Sequence, residues 1–319
     1  MAGAAPTDAI PRDEGFVTVT GGRVWYERMG RPGAPALLLL HGGPGGNSED
    51  LRPLMELAAH DFLVVRYDQL GSWRSDQPDD PDLWQVPRFV EEVEQVRLAL
   101  GLGRVHLLGQ SWGAILGLEY ALHHQRHLRS LTLASGAASV AEVVAGMDRW
   151  RSALPVETQL TLARHEASGD HDHPEYQAAL SVLYRRHFCT TSPAPEALAT
   201  AGAHMGMPVY TSMWGPNEFA CTGTLLSWDR TDRLHEIQVP TLITVGEFDE
   251  VHPSCAETMQ QGISGSRLTV FPGAAHAVHV EQPETYWPVV RRFLLEVDTG
   301  ERESEANQAA TLRTGRRSP

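Results

Sequence analysis

Strand-like apolar runs recur along the chain at 36–40, 62–67, 105–108, 128–134, 241–245 and 267–271. Compact runs of this length, with few polar interruptions, predict strands buried in a sheet. Between and after them, 50–59, 87–100, 112–125, 254–261 and 285–297 carry helical spacing. In 87–100, for example, Phe89, Val93, Val96 and Leu100 fall on one face. Strands alternating with helices predict one largely parallel sheet covered on both sides. A Gly21-Gly22 turn joins 16–20 to 23–28 as an antiparallel hairpin at its start.

The alternation stops between 136 and 236, where helical stretches, Pro and His replace the buried-strand pattern, and then resumes. Such an insertion is expected to lie over the carboxyl edge of the sheet, where open α/β sheets bind ligands. The predicted organisation is therefore a core of 15–135 and 237–297 with a helical cap, 136–236, inserted before a late strand. Residues 1–14 are expected to be flexible. The polar stretch 298–319, with little to bury, is expected to be disordered.

Composition narrows the function. With 40 acidic and 26 basic residues, the chain of 319 carries a formal charge of −14. Such a surface repels phosphate backbones and anionic lipids, so neither nucleic acid nor membrane is expected as a partner, whereas a cationic substrate is tolerated. Cys189, Cys221 and Cys255 are scattered and odd in number, without disulfide or zinc spacing. The first fifteen residues lack the basic start and apolar stretch of a secretory signal, and no run approaches the roughly 18 apolar residues of a membrane span. A cytoplasmic location is expected.

The chemistry is concentrated in three places. Gly109-Gln110-Ser111-Trp112-Gly113 lies between a predicted buried strand and a helix. That is the setting of a nucleophile elbow, in which a tight turn raises the serine above the sheet and demands small flanking residues. His41-Gly42-Gly43-Pro44-Gly45-Gly46 follows the first buried strand. Its backbone N–H at Gly43, with that of Trp112, is placed to form an oxyanion hole. A phosphate-binding loop is the alternative, but neither the Lys-Ser/Thr sequel nor the G-x-G-x-x-G spacing is there. His41 itself is expected to be structural.

The chain order Ser, Asp, His of this fold puts the acid after a late strand and the histidine later still. Asp249 follows 241–245 and is the candidate acid, with Glu247 and Glu250 as competitors. His276 follows the next strand and is the candidate base, with His279 as its rival. Ser111, Asp249 and His276 together predict an α/β-hydrolase fold and acyl transfer through serine, a chemistry that needs no cofactor. His171-Asp172-His173 suggests a metal only superficially: Pro174 follows, no third ligand is evident from spacing, and no metal is expected.

Taken with Tyr67-Asp68-Gln69-Leu70-Gly71-Ser72 and Gly215-Pro216-Asn217-Glu218-Phe219, the glycine loop and the elbow resemble the proline iminopeptidases over residues 15–297. These are α/β-hydrolase aminopeptidases that remove an N-terminal residue, preferentially proline. The resemblance implies a small peptide or aminoacyl substrate with a free amino terminus. It further implies that Glu218, Glu250 and Tyr210 bind that amine. Two positions depart from the family pattern: Trp73 and Ala114 stand where glycine is usual. Amidases, esterases and hydrolases that tailor aminoacyl natural products share the same machinery and are the alternative activities.

Overall fold

The computed structural model describes the backbone of residues 10–314 and the side chains of 10–301. Eight strands form one sheet: β1 (Arg12–Val19), β2 (Gly22–Met29), β3 (Ala36–Leu40), β4 (Leu63–Tyr67), β5 (Val105–Gln110), β6 (Leu128–Ala134), β7 (Thr241–Gly246) and β8 (Arg267–Phe271). Their spatial order is β1-β2-β4-β3-β5-β6-β7-β8. β1 and β2 pair antiparallel, as does β2 with β4, and every pair from β4 onward is parallel. This is the α/β-hydrolase architecture. β3 and β5, at its centre, are buried along their whole length, which explains why their sequences do not alternate.

Helices α1 (Arg52–Ala58), α2 (Val86–Ala99) and α3 (Trp112–His124) follow β3, β4 and β5 in the chain. One apolar layer, including Val93, Leu107, Trp112 and Leu116, lies on one side of the sheet; the other, including Leu37, Leu54, Phe62, Tyr286 and Val290, lies on the opposite side. Between β6 and β7 come five helices: α4 (Val140–Ser152), α5 (Val156–Ser168), α6 (Pro174–Leu183), α7 (Glu196–Ala203) and α8 (Met207–Met213). A π-helical turn, Tyr184–Phe188, follows α6. Beyond β7 are α9 (Pro253–Gly262), the short α10 (Val278–Glu281) and α11 (Pro283–Thr314).

Both ends differ from expectation. β1 takes in Arg12–Glu14, because Arg12 pairs with the buried Glu27 and Arg28 with Asp13 across the hairpin. α11 continues to Thr314, so 298–314 is helical rather than disordered; 1–9 and 315–319 lie outside the described residues. The sequence of α11 past Val297 is polar, but its Asp298 is buried and meets Arg129 at 3.2 Å, and Arg129 also reaches Glu301. Polar composition hid these long-range ion pairs. Among the described residues no helix is long and apolar enough to cross a membrane.

A buried ionic network fixes the loop after β3 to the end of β4. Arg66, only 2% exposed, binds Glu27 at 2.7 Å and Glu49 at 3.1 Å, and donates to the Ser48 carbonyl at 2.8 Å. Arg74 joins Glu49 to Asp68, whose carboxylate accepts from both the amide and the hydroxyl of Ser48. Removing one member of a buried ionic set leaves the others uncompensated. Arg66→Met is expected to destabilise the fold by about 3 kcal/mol, read as a lower denaturant midpoint; an unchanged midpoint would show that the network adds no net stability.

Candidate active site

The turn from β5 into α3 is shaped by steric limits. Ser111 has φ 57° and ψ −122°, a left-handed conformation held because its neighbours are locked. A Cβ on Gly109 would fall 1.9 Å from the Gly113 carbonyl oxygen, and one on Gly113 would fall 2.1 Å from that of Leu40. Neither backbone oxygen can retreat without disturbing α3 or the end of β3. Ala114 is accommodated because Gly136 faces it: a Cβ at 136 would come within 2.4 Å of the Ala114 methyl. The departure at 114 is thus balanced within the chain.

The glycine loop approaches the same turn. Gly42 passes close to the Ser111 Cβ, so a side chain there would be tight. The Trp112 amide is the first of α3, where N–H groups have no partner within the helix. Gly43 and Trp112 both line a recess with Ser111. His41 anchors the loop: its Nε2 accepts from the Gln69 amide at 2.9 Å, while Gln69 donates to the His41 carbonyl and accepts from the Trp112 indole. Burial lowers the His41 pKa, which suits an uncharged structural role.

Asp249 and His276, on the loops after β7 and β8, meet at 2.6 Å between Oδ1 and Nδ1. Asp249 is fully buried and also accepts from the amides of Val251 and Gly246. The two competing glutamates separate cleanly. Glu247 is turned away, accepting from the exposed Gly273 amide, whereas Glu250 faces the other nitrogen of the imidazole, with Oε1 3.5 Å from Nε2. No hydrogen bond joins Ser111 Oγ to His276 in this arrangement. His279 does not touch Asp249; it lies beside Asp50 at 3.6 Å.

The cap closes over these groups. The main-chain carbonyl of His187, in the π-helical turn, accepts from the amides of both Glu250 and His276 at 2.9 and 3.0 Å. Ser135, at the end of β6, donates to the His276 carbonyl. Tyr184 receives a bond from the Glu218 amide, and burial, then Glu218 and Glu250, push its pKa up. His187, Ser135 and Tyr184 escaped the sequence reading because no motif marks them; only the π-helical interruption of a cap helix, a feature common at functional sites, hints at two of them.

Glu218 and Tyr210, both from the cap, stand near Glu250. Tyr210 is pushed well above the usual phenol range by burial and then by Glu218. Burial raises both Glu218 and Glu250, their mutual repulsion raising Glu250 further, while His276 works against the rise in each. For His276 burial disfavours the imidazolium, but Asp249, Glu250 and Glu218 prevail and carry its pKa to about 10. The structure thus gathers Ser111, Asp249, His276, Gly43, Trp112, Glu218, Glu250 and Tyr210 at one place.

Two recesses meet at Ser111. One, of about 390 Å³, is apolar, lined by Trp112, Ile115, Val143, Met147, Trp214 and Leu225, with Glu218 and Glu250 on its wall. The other, of about 580 Å³, runs past His276 toward Asp50 and His279. Trp73 lines neither. Its ring stacks on His204 of the cap at 4.0 Å and lies under the Arg74 guanidinium, so it joins cap to core.

Among the described residues, the groups able to approach a metal together lie elsewhere. His173 meets His165 and Glu175, giving it the neighbours that spacing did not reveal, and Glu94 meets His124 and His127. An arginine already occupies each carboxylate, Arg164 on Glu175 and Arg97 on Glu94.

Comparison with known proteins agrees with the fold. Residues 35–283 match the family model described as alpha/beta hydrolase fold. The proline iminopeptidase of Saccharolobus solfataricus is 36% identical over 292 residues, covering 91% of this chain and 94% of the relative. That of Heyndrickxia coagulans is 38% identical over 283 residues, 88% and 98% of the two chains. The chain belongs to the proline iminopeptidase family. It is a hydrolase. Among solved structures, the proline iminopeptidase of Mycobacterium smegmatis superposes with a TM-score of 0.85 at 36% identity, covering 91% of this chain and all of that one. VinJ superposes at 0.86 with 35% identity, 89% and 99% covered.

The elbow is the feature least tolerant of change. Gly113→Ala is expected to cost about 3 kcal/mol of stability or more, because backbone must move, with loss of reaction toward a fluorophosphonate. A variant of normal stability and labelling would show that the turn has room to relax.

Proposed function

We propose that the protein is a serine aminopeptidase that releases an N-terminal residue, preferentially proline, from small peptides or aminoacyl amides. The observation that carries this reading is the pairing of Glu218 and Glu250 on the wall of the apolar recess at Ser111, among whose lining residues no basic side chain occurs. Two carboxylates in a partly dry site, facing the point of attack, suit an ammonium group held one residue from the scissile bond. The apolar remainder of the recess suits a compact side chain such as proline. The family relatives carry the name proline iminopeptidase.

In this mechanism His276 Nε2 takes the Ser111 proton as Oγ bonds to the substrate carbonyl carbon. The carbonyl oxygen gains the negative charge and accepts from the amides of Gly43 and Trp112. Asp249 holds Nδ1–H and stabilises the imidazolium. The carbon–nitrogen bond then breaks, and the leaving nitrogen takes the proton from Nε2. Water, giving a proton to the same nitrogen, attacks the acyl-serine; the carbon–Oγ bond breaks and the proton returns to Ser111.

Charge couples binding to this base. With the carboxylates unneutralised, Asp249, Glu250 and Glu218 outweigh burial and raise the His276 pKa to about 10, which weakens it as a base at neutral pH. A substrate ammonium offsets part of the charge of Glu218 and Glu250, two of the groups that favour imidazolium, and so lowers the His276 pKa. The sign follows: kcat, which reports the loaded site, turns on at lower pH than kcat/KM, which reports the free enzyme. Glu250→Gln is expected to shift the rising limb of kcat/KM to lower pH; an unmoved limb would remove Glu250 from the surroundings of His276.

The activity is tested with proline, alanine and N-acetyl-proline anilides beside an acetate ester. Cleavage of the free-amine prolyl anilide is expected, with the acetylated one inert and Ser111→Ala inactive on all. Glu218→Gln is expected to lower kcat/KM on the prolyl anilide by about tenfold to a hundredfold, the loss of one charge-assisted bond, and to spare the ester. Ester cleavage alone, indifferent to a free amine, would sink the aminopeptidase assignment.

A further inference from the structure

The second recess has a polar end that the proposed chemistry does not use. Because His276 hands its proton to the departing nitrogen, the leaving group must lie on the His276 side of Ser111. The recess lined by His276, Phe188, Leu198, Ala201 and Met205 is on that side, and Asp50 and His279 close it. Asp50 is 8% exposed and His279 4%. Asp50 Oδ1 and His279 Nε2 are shielded from water and neither has a hydrogen-bond partner. His279 Nε2 stands 3.6 Å from Asp50 Oδ2, beyond hydrogen-bond distance, and Asp50 is also within electrostatic reach of the buried His41.

Gln110 and Glu218 also line the recess on the Ser111 side, and the polar groups beside Asp50 are taken. The Asn47 side chain donates to the carbonyls of Ala201 and His204 and accepts from the Glu49 amide. Arg52 is taken by Glu49 and Glu56. A buried carboxylate oxygen that has lost water without gaining a donor is costly, and a ligand can supply the missing partner.

We propose that this recess is the leaving-group subsite and that Asp50, assisted by His279, receives a cationic side chain on the residue after the scissile bond. The proposal rests on the aminopeptidase reading for its place in the reaction. It adds that the enzyme selects the leaving residue as well as the released one: a lysine-like chain threads the apolar walls with its methylenes and places its ammonium at Asp50.

Lysinamide and norleucinamide share a backbone and nearly the same length of chain, but only the first carries the side-chain charge. Both are measured as ligands of the unmodified enzyme by calorimetry, and Pro-Lys-NH2 and Pro-norleucine-NH2 as substrates. The expected result is about tenfold tighter binding of lysinamide and a similar preference in kcat/KM, with both ratios falling toward one in Asp50→Asn. Equal affinity of the two amides for the unmodified enzyme overturns the subsite, and so does a lysine preference that survives Asp50→Asn of native melting temperature. Because binding of the free amides needs no turnover, it decides the subsite even if neither prolyl amide is cleaved, an outcome that counts against the aminopeptidase reading instead.

Discussion

Close backbone approach at the turn from β5 to α3 is the constraint on which the site depends. Ser111 adopts a conformation that side chains rarely tolerate, and it is held there because Gly109 and Gly113 let carbonyl oxygens pass where a methyl group would collide. Strain of this kind persists only when the surroundings over-determine it. Here β3 and β6 supply that force: the Leu40 carbonyl presses on Gly113, and the Ser111 amide donates to Ala134 at 2.8 Å. The serine, the first free amide of α3 and the glycine loop are thereby fixed in one place before any side-chain chemistry is considered.

Around that frame the cap concentrates negative charge at low exposure. Asp249, Glu250 and Glu218 surround a single imidazole, and His187 binds the loops of both Glu250 and His276 through one carbonyl. Stability alone would not favour such a cluster, since buried like charges repel and lose their hydration. The arrangement fits a ligand that brings positive charge. On the proposed reading, these carboxyl groups favour the protonated histidine and an arriving ammonium offsets them, so the electrostatic cost borne by the fold becomes discrimination in favour of amine-bearing substrates.

Much of this was legible in the chain. Buried strands announce themselves by unbroken apolar runs, and the elbow and glycine loop by residues that only close approach requires. Asp249 and His276 followed from chain order once Ser111 was placed. The choice among Asp249, Glu247 and Glu250 was less visible, because three acids in four residues differ only in direction: one is turned outward and the other two grip opposite nitrogens of the same ring. Trp73, a departure in sequence, became intelligible only when His204 was found stacked on it.

The sequence by itself determined the order of strands and helices and the glycines of the turn, because these follow from local sterics and periodicity, and chain order offered Ser111, Asp249 and His276 as the candidate triad. Tertiary structure alone decided how far α11 extends, which cap residues face the site, and that Asp50 and His279 line one recess without a hydrogen-bond partner. Those are facts about groups distant in the chain: Asp298 is ordered by Arg129, and Asp50 finds His279 more than two hundred residues away. Local pattern carries no information about such pairings, since their energies arise only when folding removes water from both members at once.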